Sequence, residues 1–206
     1  MPLRQITAPV EEPVSLLEAK LHLRVDFDDD DALITTLIGA ARQAAETMTG
    51  RQFVTARWQY VMDCFPGSSL ACASLGEIFS LPAHAMLLPK SPLQSVIGID
   101  YLDSSGVSQT LPVEDYVVDP GCEPARVTPA FGKSWPPSLP QIGAVSVTFD
   151  AGYGATTDVP DGIKSWIKLR IGSLYACREE LGAARSDAST ASFFNGLLDP
   201  FRVVCL

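Results

Sequence analysis

Eleven of the chain's 16 prolines fall between residues 51 and 155: Pro66, Pro82, Pro89, Pro92, Pro112, Pro120, Pro124, Pro129, Pro136, Pro137 and Pro140. A proline inside a helix removes a backbone donor and clashes with the preceding turn. Spaced this closely, they forbid long helices across the middle of the chain and leave short strands and turns. The flanks differ. Residues 1–50 hold two helical patterns with few breakers, and residues 156–206 turn helical again before an apolar end. The expected fold class is therefore α+β. A small helical bundle, made of two N-terminal helices plus one C-terminal helix, carries an inserted antiparallel β-rich region and an extended C-terminal tail. The expected divisions are 1–52 for the N-terminal helical part, 53–155 for the β-rich insertion, 156–182 for the helix completing the bundle, and 183–206 for a linker and apolar docking tail.

The first helix starts at a capping box, with Ser15 placed to cap and Glu18 placed to reach back three residues later. Leu16, Leu17, Leu21 and Leu23 give it an apolar side. The second is the clearest element. Ile34, Leu37, Ile38, Ala41, Ala45 and Met48 form one stripe, and Gly50 is placed to end it. The third opens at Asp158-Val159-Pro160-Asp161, a cap followed by a first-turn proline and an acid, and is expected to end near Leu181-Gly182.

In the middle region Val54 to Met62 alternates with period two. Val96 to Leu102 is a second strand. Asp103-Ser104-Ser105-Gly106 is a turn, and Val107 to Leu111 is the returning hairpin partner. Asp115 to Asp119, Ala125 to Thr128 and Val145 to Phe149 complete the expected strands, and Gly152-Tyr153-Gly154 closes the region.

Composition removes whole classes of function. Fifteen Lys+Arg against 24 Asp+Glu give a net charge of −9. That balance argues against binding nucleic acid through a general basic surface. No apolar run approaches the ~18–20 residues that span a bilayer, and no apolar signal core follows Met1-Pro2-Leu3-Arg4-Gln5. A cytosolic chain is the expectation. The five cysteines, Cys64, Cys72, Cys122, Cys177 and Cys205, are widely spaced and contain no C-x-x-C. With only His22 and His84 beside them they match no zinc pattern, and reduced thiols are expected. No nucleophile elbow, Walker pattern or dinucleotide fingerprint occurs. No catalytic residue, cofactor site or metal site is therefore assigned.

Two features ask for a partner rather than for chemistry. The charge is uneven, with a net of −5 over residues 1–50, −4 over 51–155 and 0 over 156–206. Asp28, Asp29, Asp30 and Asp31 belong to a run of five carboxylates from Asp26 to Asp31. The run lacks the glycine and distal Glu of a calcium loop. Asp29 or Asp30 is expected to cap the second helix. Lys164 and Lys168 make the third helix locally basic. The C-terminal segment is the second feature. Phe193, Phe194, Leu197, Leu198, Pro200, Phe201, Arg202, Val203, Val204 and Leu206 follow a small, polar linker. So apolar a terminus must either fold back on its own domain or dock on another chain, and docking is the expectation.

The order of short motifs carries a family resemblance. Pro13-Val14-Ser15-Leu16-Leu17-Glu18-Ala19-Lys20 leads to His22-Leu23-Arg24-Val25-Asp26 and the acidic run. Asp31-Ala32-Leu33-Ile34 leads to Thr47-Met48-Thr49-Gly50-Arg51. Then come Trp58, Pro89, Pro92-Leu93-Gln94-Ser95-Val96 and Tyr101-Leu102-Asp103. Asp115-Tyr116, Pro124-Ala125-Arg126-Val127, Trp135-Pro136, Ala151-Gly152-Tyr153-Gly154, Val159-Pro160 and Pro200-Phe201-Arg202-Val203 follow. Over nearly its whole length the chain resembles the head–tail connector, or adaptor, proteins of tailed bacteriophages and gene transfer agents. Residues 183–190 match least.

The resemblance implies a structural subunit and no enzyme. It implies a homo-oligomeric ring in the particle, typically a dodecamer, built from a subunit that is allowed to be monomeric in isolation. The ring would sit beneath the portal protein in the neck of a virion, after assembly in the host cytoplasm. DNA would pass through without specific binding, and a tail or stopper protein would attach below. Phe193 to Leu206 would be the portal-docking tail. Asp28 to Asp31 would be candidate channel or interface charges, with Lys164 and Lys168 as their complement. The competing readings are another neck component, such as a stopper or tail-completion protein, and a small cytosolic hydrolase.

Overall fold

The stripe from Ile34 to Met48 becomes the longest helix of the computed structural model, which describes residues 3–67, 84–176 and 196–203. The helices are α1 (Leu16–Leu23), α2 (Asp31–Thr49) and α3 (Asp161–Ala176). α1 starts at the expected capping box. The Ser15 Oγ accepts the Glu18 N–H at 3.2 Å, and the Glu18 carboxylate accepts the Ser15 N–H at 2.9 Å. α2 ends at Gly50 with φ +73, the left-handed value that glycine adopts without strain. Its start differs from expectation. Asp30 occupies the cap with φ −95 and ψ 4 and makes no side-chain cap hydrogen bond. That backbone is not extended, so the carboxylate does not turn back onto the first free N–H groups. It accepts instead from the Tyr175 hydroxyl.

The strands are β1 (Leu3–Thr7), β2 (Ala56–Met62), β3 (Met86–Leu88), β4 (Leu93–Leu102), β5 (Ser108–Thr110), β6 (Tyr116–Asp119), β7 (Ala125–Pro129) and β8 (Val145–Ala151). All pairings between them are antiparallel. One sheet has the order β1-β2-β8-β4-β5, and a smaller one has the order β3-β7-β6. β8 is the centre of the larger sheet. Val145, Val147, Phe149 and Ala151 are buried, while Ser146, Thr148 and Asp150 alternate on the wetter face. On that face Arg57 of β2 grips its cross-strand partner Asp150 with two hydrogen bonds of 2.8 and 2.9 Å. The fold is thus α+β, as expected.

The described chain forms two units. Of the described residues, the sheet unit comprises 3–8, 55–67 and 84–152. Its core gathers Met62, Phe65, Met86, Leu88, Ile99, Val127, Val147 and Phe149. The helical unit comprises 9–54, 153–176 and 196–203. Its core gathers Val14, Ala19, Ile34, Ile38, Ala41, Ala45, Ile163, Trp166, Ile167, Ile171 and Leu198. The expected boundaries differ from this division at the N-terminus, where residues 3–7 are a strand rather than the start of the helical part. The expected end of the third helix near Leu181-Gly182 lies outside the described residues. One cysteine departs from expectation: Cys64 is disulfide-bonded. An odd count and wide spacings do not exclude one pair. Cys122 is free.

Candidate functional site

The C-terminal segment is anchored in the helical unit. Leu198 is wholly buried in the helical core, with Leu197 and Phe201 packed against it. The Phe201 ring lies over Gly162 of α3. A Cβ at that glycine would come within 3.1 Å of the ring, so the bare helix surface there lets the ring approach closely. Backbone groups hold the rest. The Val203 N–H donates to the Thr49 carbonyl at 2.8 Å, and the Arg51 guanidinium donates to the Phe201 carbonyl. Arg51 itself is buried, with its guanidinium over the Tyr153 ring. Pro200 and Arg202 point to solvent, and Arg202 pairs with Asp199 at 3.1 Å. Residues 197–203 therefore fold back on their own helical unit. Phe193, Phe194, Val204 and Leu206 lie outside the described residues.

The acidic run is partly neutralised from within. The Lys20 ammonium lies 2.6 Å from Asp28 and 2.7 Å from Asp31. Its hydrogen bond to Asp28, then that to Asp31, raise the lysine's pKa, and the same lysine lowers that of Asp28. Asp30 is taken by Tyr175. Asp26 and Asp29 are exposed and hold no cation among the described residues. The run thus presents four carboxylates in excess of its single lysine.

Lys164 and Lys168 are half-buried on α3. They face α1, where their charges help to hold the Glu18 carboxyl below the usual glutamate range. The larger causes of that shift are the backbone N–H and the hydroxyl of Ser15. The structure thus sets the two lysines near Glu18 of α1, and among the described residues no ion pair joins them to the acidic run.

One cluster was not picked out from the sequence. Arg42 and Glu46, four residues apart on the inward face of α2, are buried and 2.8 Å apart. Arg42 also donates to Glu12 at 2.7 Å. Glu46 accepts from the Gln52 amide at 2.8 Å and from the Phe53 N–H at 3.2 Å. Burial opposes the charge on Arg42, but its hydrogen bond to Glu12 and the Glu46 charge outweigh it and raise the pKa. The network fixes the segment entering α1 and the segment leaving α2 to one helix. The signal was present: two ionisable residues interrupt an otherwise apolar stripe at an i,i+4 spacing.

A cleft of about 480 Å³ in the sheet unit is lined by His84, Pro129, Phe131, Lys133 and Trp135, among others. Among the described residues its titratable lining groups are His84 and Lys133, and Lys133 pairs with Asp115 at 3.1 Å. The Cys122 thiol donates to Asp119, whose carboxylate pushes the thiol pKa up, the opposite of what activates a nucleophile. Among the described residues no group of three or more His, Cys, Asp or Glu is placed to hold a metal ion. No described helix is long and apolar enough to cross a membrane.

The fold of this α+β chain, with its helical unit and its sheet unit, is shared with chains of solved particles. It matches a chain in the neck of an empty gene transfer agent (GTA) particle determined with C6 symmetry, with a TM-score of 0.76 and 21% identity. The match covers 100% of this chain and 97% of that one. A chain in the virion of a native GTA particle matches at 0.75 and 21%, with the same coverage. One in the neck of a native GTA particle determined with C12 symmetry matches at 0.73 and 19%, also with the same coverage. At these identities the likeness shows the fold. The family signal is in the sequence: residues 13–99 match the model of the phage gp6-like head–tail connector proteins. That segment runs from the start of α1 into β4, and over it the resemblance read from the motifs is borne out. No curated protein sequence is significantly similar to the chain.

Proposed function

We propose that the chain is a structural subunit of a head–tail connector: a ring in the neck of a phage-like particle, through which DNA passes. The carrying observation is the connector-family match over residues 13–99. The neck-protein fold over the whole chain supports it, as does the C6 or C12 symmetry with which the similar necks were determined.

On this reading a portal protein lies on one side and a tail or stopper protein on the other. The docking element is narrower than the full apolar terminus. Leu198 and Phe201 serve as the anchor in the chain's own helical unit. Contact with the portal then falls to Pro200, Arg202 and the residues flanking the anchor, Phe193, Phe194, Val204 and Leu206. The exposed carboxylates Asp26, Asp28 and Asp29 are the channel-wall candidates, since an acidic wall repels phosphate and does not trap the genome.

The test is co-sedimentation of the purified chain with the portal protein from the same genome. A stoichiometric complex whose mass fits a ring on the portal is expected. Binding to a tail-tube or tail-completion protein alone, with no portal complex, overturns the assignment.

A further inference from the structure

The outward face of α2 carries no charge. From Ala32 onward its exposed residues are Ala32, Leu33, Thr35, Thr36, Ala40, Gln43 and Thr47, while its charged members Arg42 and Glu46 are buried. A solvated helix normally puts its ionic residues outside and its apolar ones inside. Here the arrangement of charge is inverted. Leu33, Thr36, Ala40, Gln43 and Thr47 also recur at alternating steps of three and four, the spacing that presents a straight seam to another helix.

The same unit carries a second unpartnered face of the opposite shape. Leu17 and Leu21, one turn apart on α1, are 69% and 70% exposed, and Phe27 beyond them is 52% exposed. Lys20, between the two leucines in sequence, reaches 2.6 Å to Asp28, the residue after Phe27, and so ties the segment that carries Phe27 to α1. Depletion of charge and exposure of bulky apolar groups are the marks of an interface centre.

We propose that these two faces meet between copies of this chain: Leu17, Leu21 and Phe27 of one copy pack on the Leu33–Thr47 seam of the next. The occupant is a second copy because a closed ring joins two different patches of the same subunit, head to tail. This helical unit carries two such patches, with bulky knobs on one and small, uncharged side chains on the other. The inference rests on the ring reading proposed above.

Sedimentation velocity of the full chain over a concentration series tests it. Leu21→Lys and Ala40→Glu should each raise the dissociation constant of self-association at least tenfold. The double variant, which places a lysine opposite a glutamate at every junction, should recover most of the loss. Both positions are exposed, so helix content should not change; Leu17→Ser and Gln43→Lys provide a gentler pair if it does. A ring that forms equally well in both single variants overturns the proposal. So does an effect of Leu21→Lys with none from Ala40→Glu, since α1 then meets some other surface. A wild-type chain that stays monomeric throughout overturns this interface, and the connector reading then stands or falls on portal co-sedimentation alone.

Discussion

Leu198 lies 27 residues beyond Ile171, the last α3 side chain in the helical core, yet is as deeply buried. Replacing it with Ala removes buried methylenes from the helical core. The expected cost is about 2–5 kcal/mol, read as a lower denaturant midpoint at unchanged slope. If the segment were only a docking arm, the substitution would leave the isolated chain's stability untouched. The pattern of apolar residues in the tail says that something must cover them, but not what. Fold-back and docking leave the same trace in a sequence, and only the burial of Leu198 in the helical core distinguishes them. The Arg42–Glu46 pair is harder still to read. An i,i+4 pair is ordinary on a helix surface, and its burial depends on Glu12 and Gln52 arriving from either side.

At the scale of elements, the helices were legible because each announces its ends. Ser15 and Glu18 close a box, Gly50 stops α2, and the turn before α3 holds Pro160. The capping box gives a prediction with a pH dependence. Glu18 has a depressed pKa in the fold, so its contribution is fully present above the free-glutamate value of 4.5 and is lost as pH falls through the lower folded value. Ser15→Ala should cost about 1 kcal/mol at neutral pH. The gap between wild type and variant, measured by thermal melts from pH 7 down to pH 3, should narrow in acid. A gap that stays constant would mean that Glu18 is not part of the cap's stabilisation. β1 and β3 escaped the sequence for a physical reason. β1 is exposed at four of its five side chains, so its hold on β2 is through the backbone and leaves no alternating apolar signal. β3 is three residues long, too short to show a period.

For the whole molecule, the question is what the acidity does. Replacing all of Asp28 to Asp31 would strip Lys20 of both its partners and confuse a channel effect with a local one. Asp26→Asn with Asp29→Asn leaves that pair intact. If these carboxylates line the DNA path, ejection from assembled particles should slow severalfold at low salt. The difference should fade as salt screens the wall. Equal ejection rates at every ionic strength would remove Asp26 and Asp29 from the channel.

The helical unit is assembled from both ends of the chain, with the whole β-rich stretch between its parts. During synthesis Ile34 therefore waits for Leu198, 164 residues later. At the usual roughly 5–20 residues per second that is a delay on the order of ten to thirty seconds. Throughout it the apolar stripe of α2 is made but its core is incomplete. The segment that closes the core is the one that also borders the proposed portal contact. On the proposed function, a truncated or half-made chain thus lacks a finished helical unit and the proposed portal contact together, so the order of synthesis itself screens which copies are fit to enter a ring.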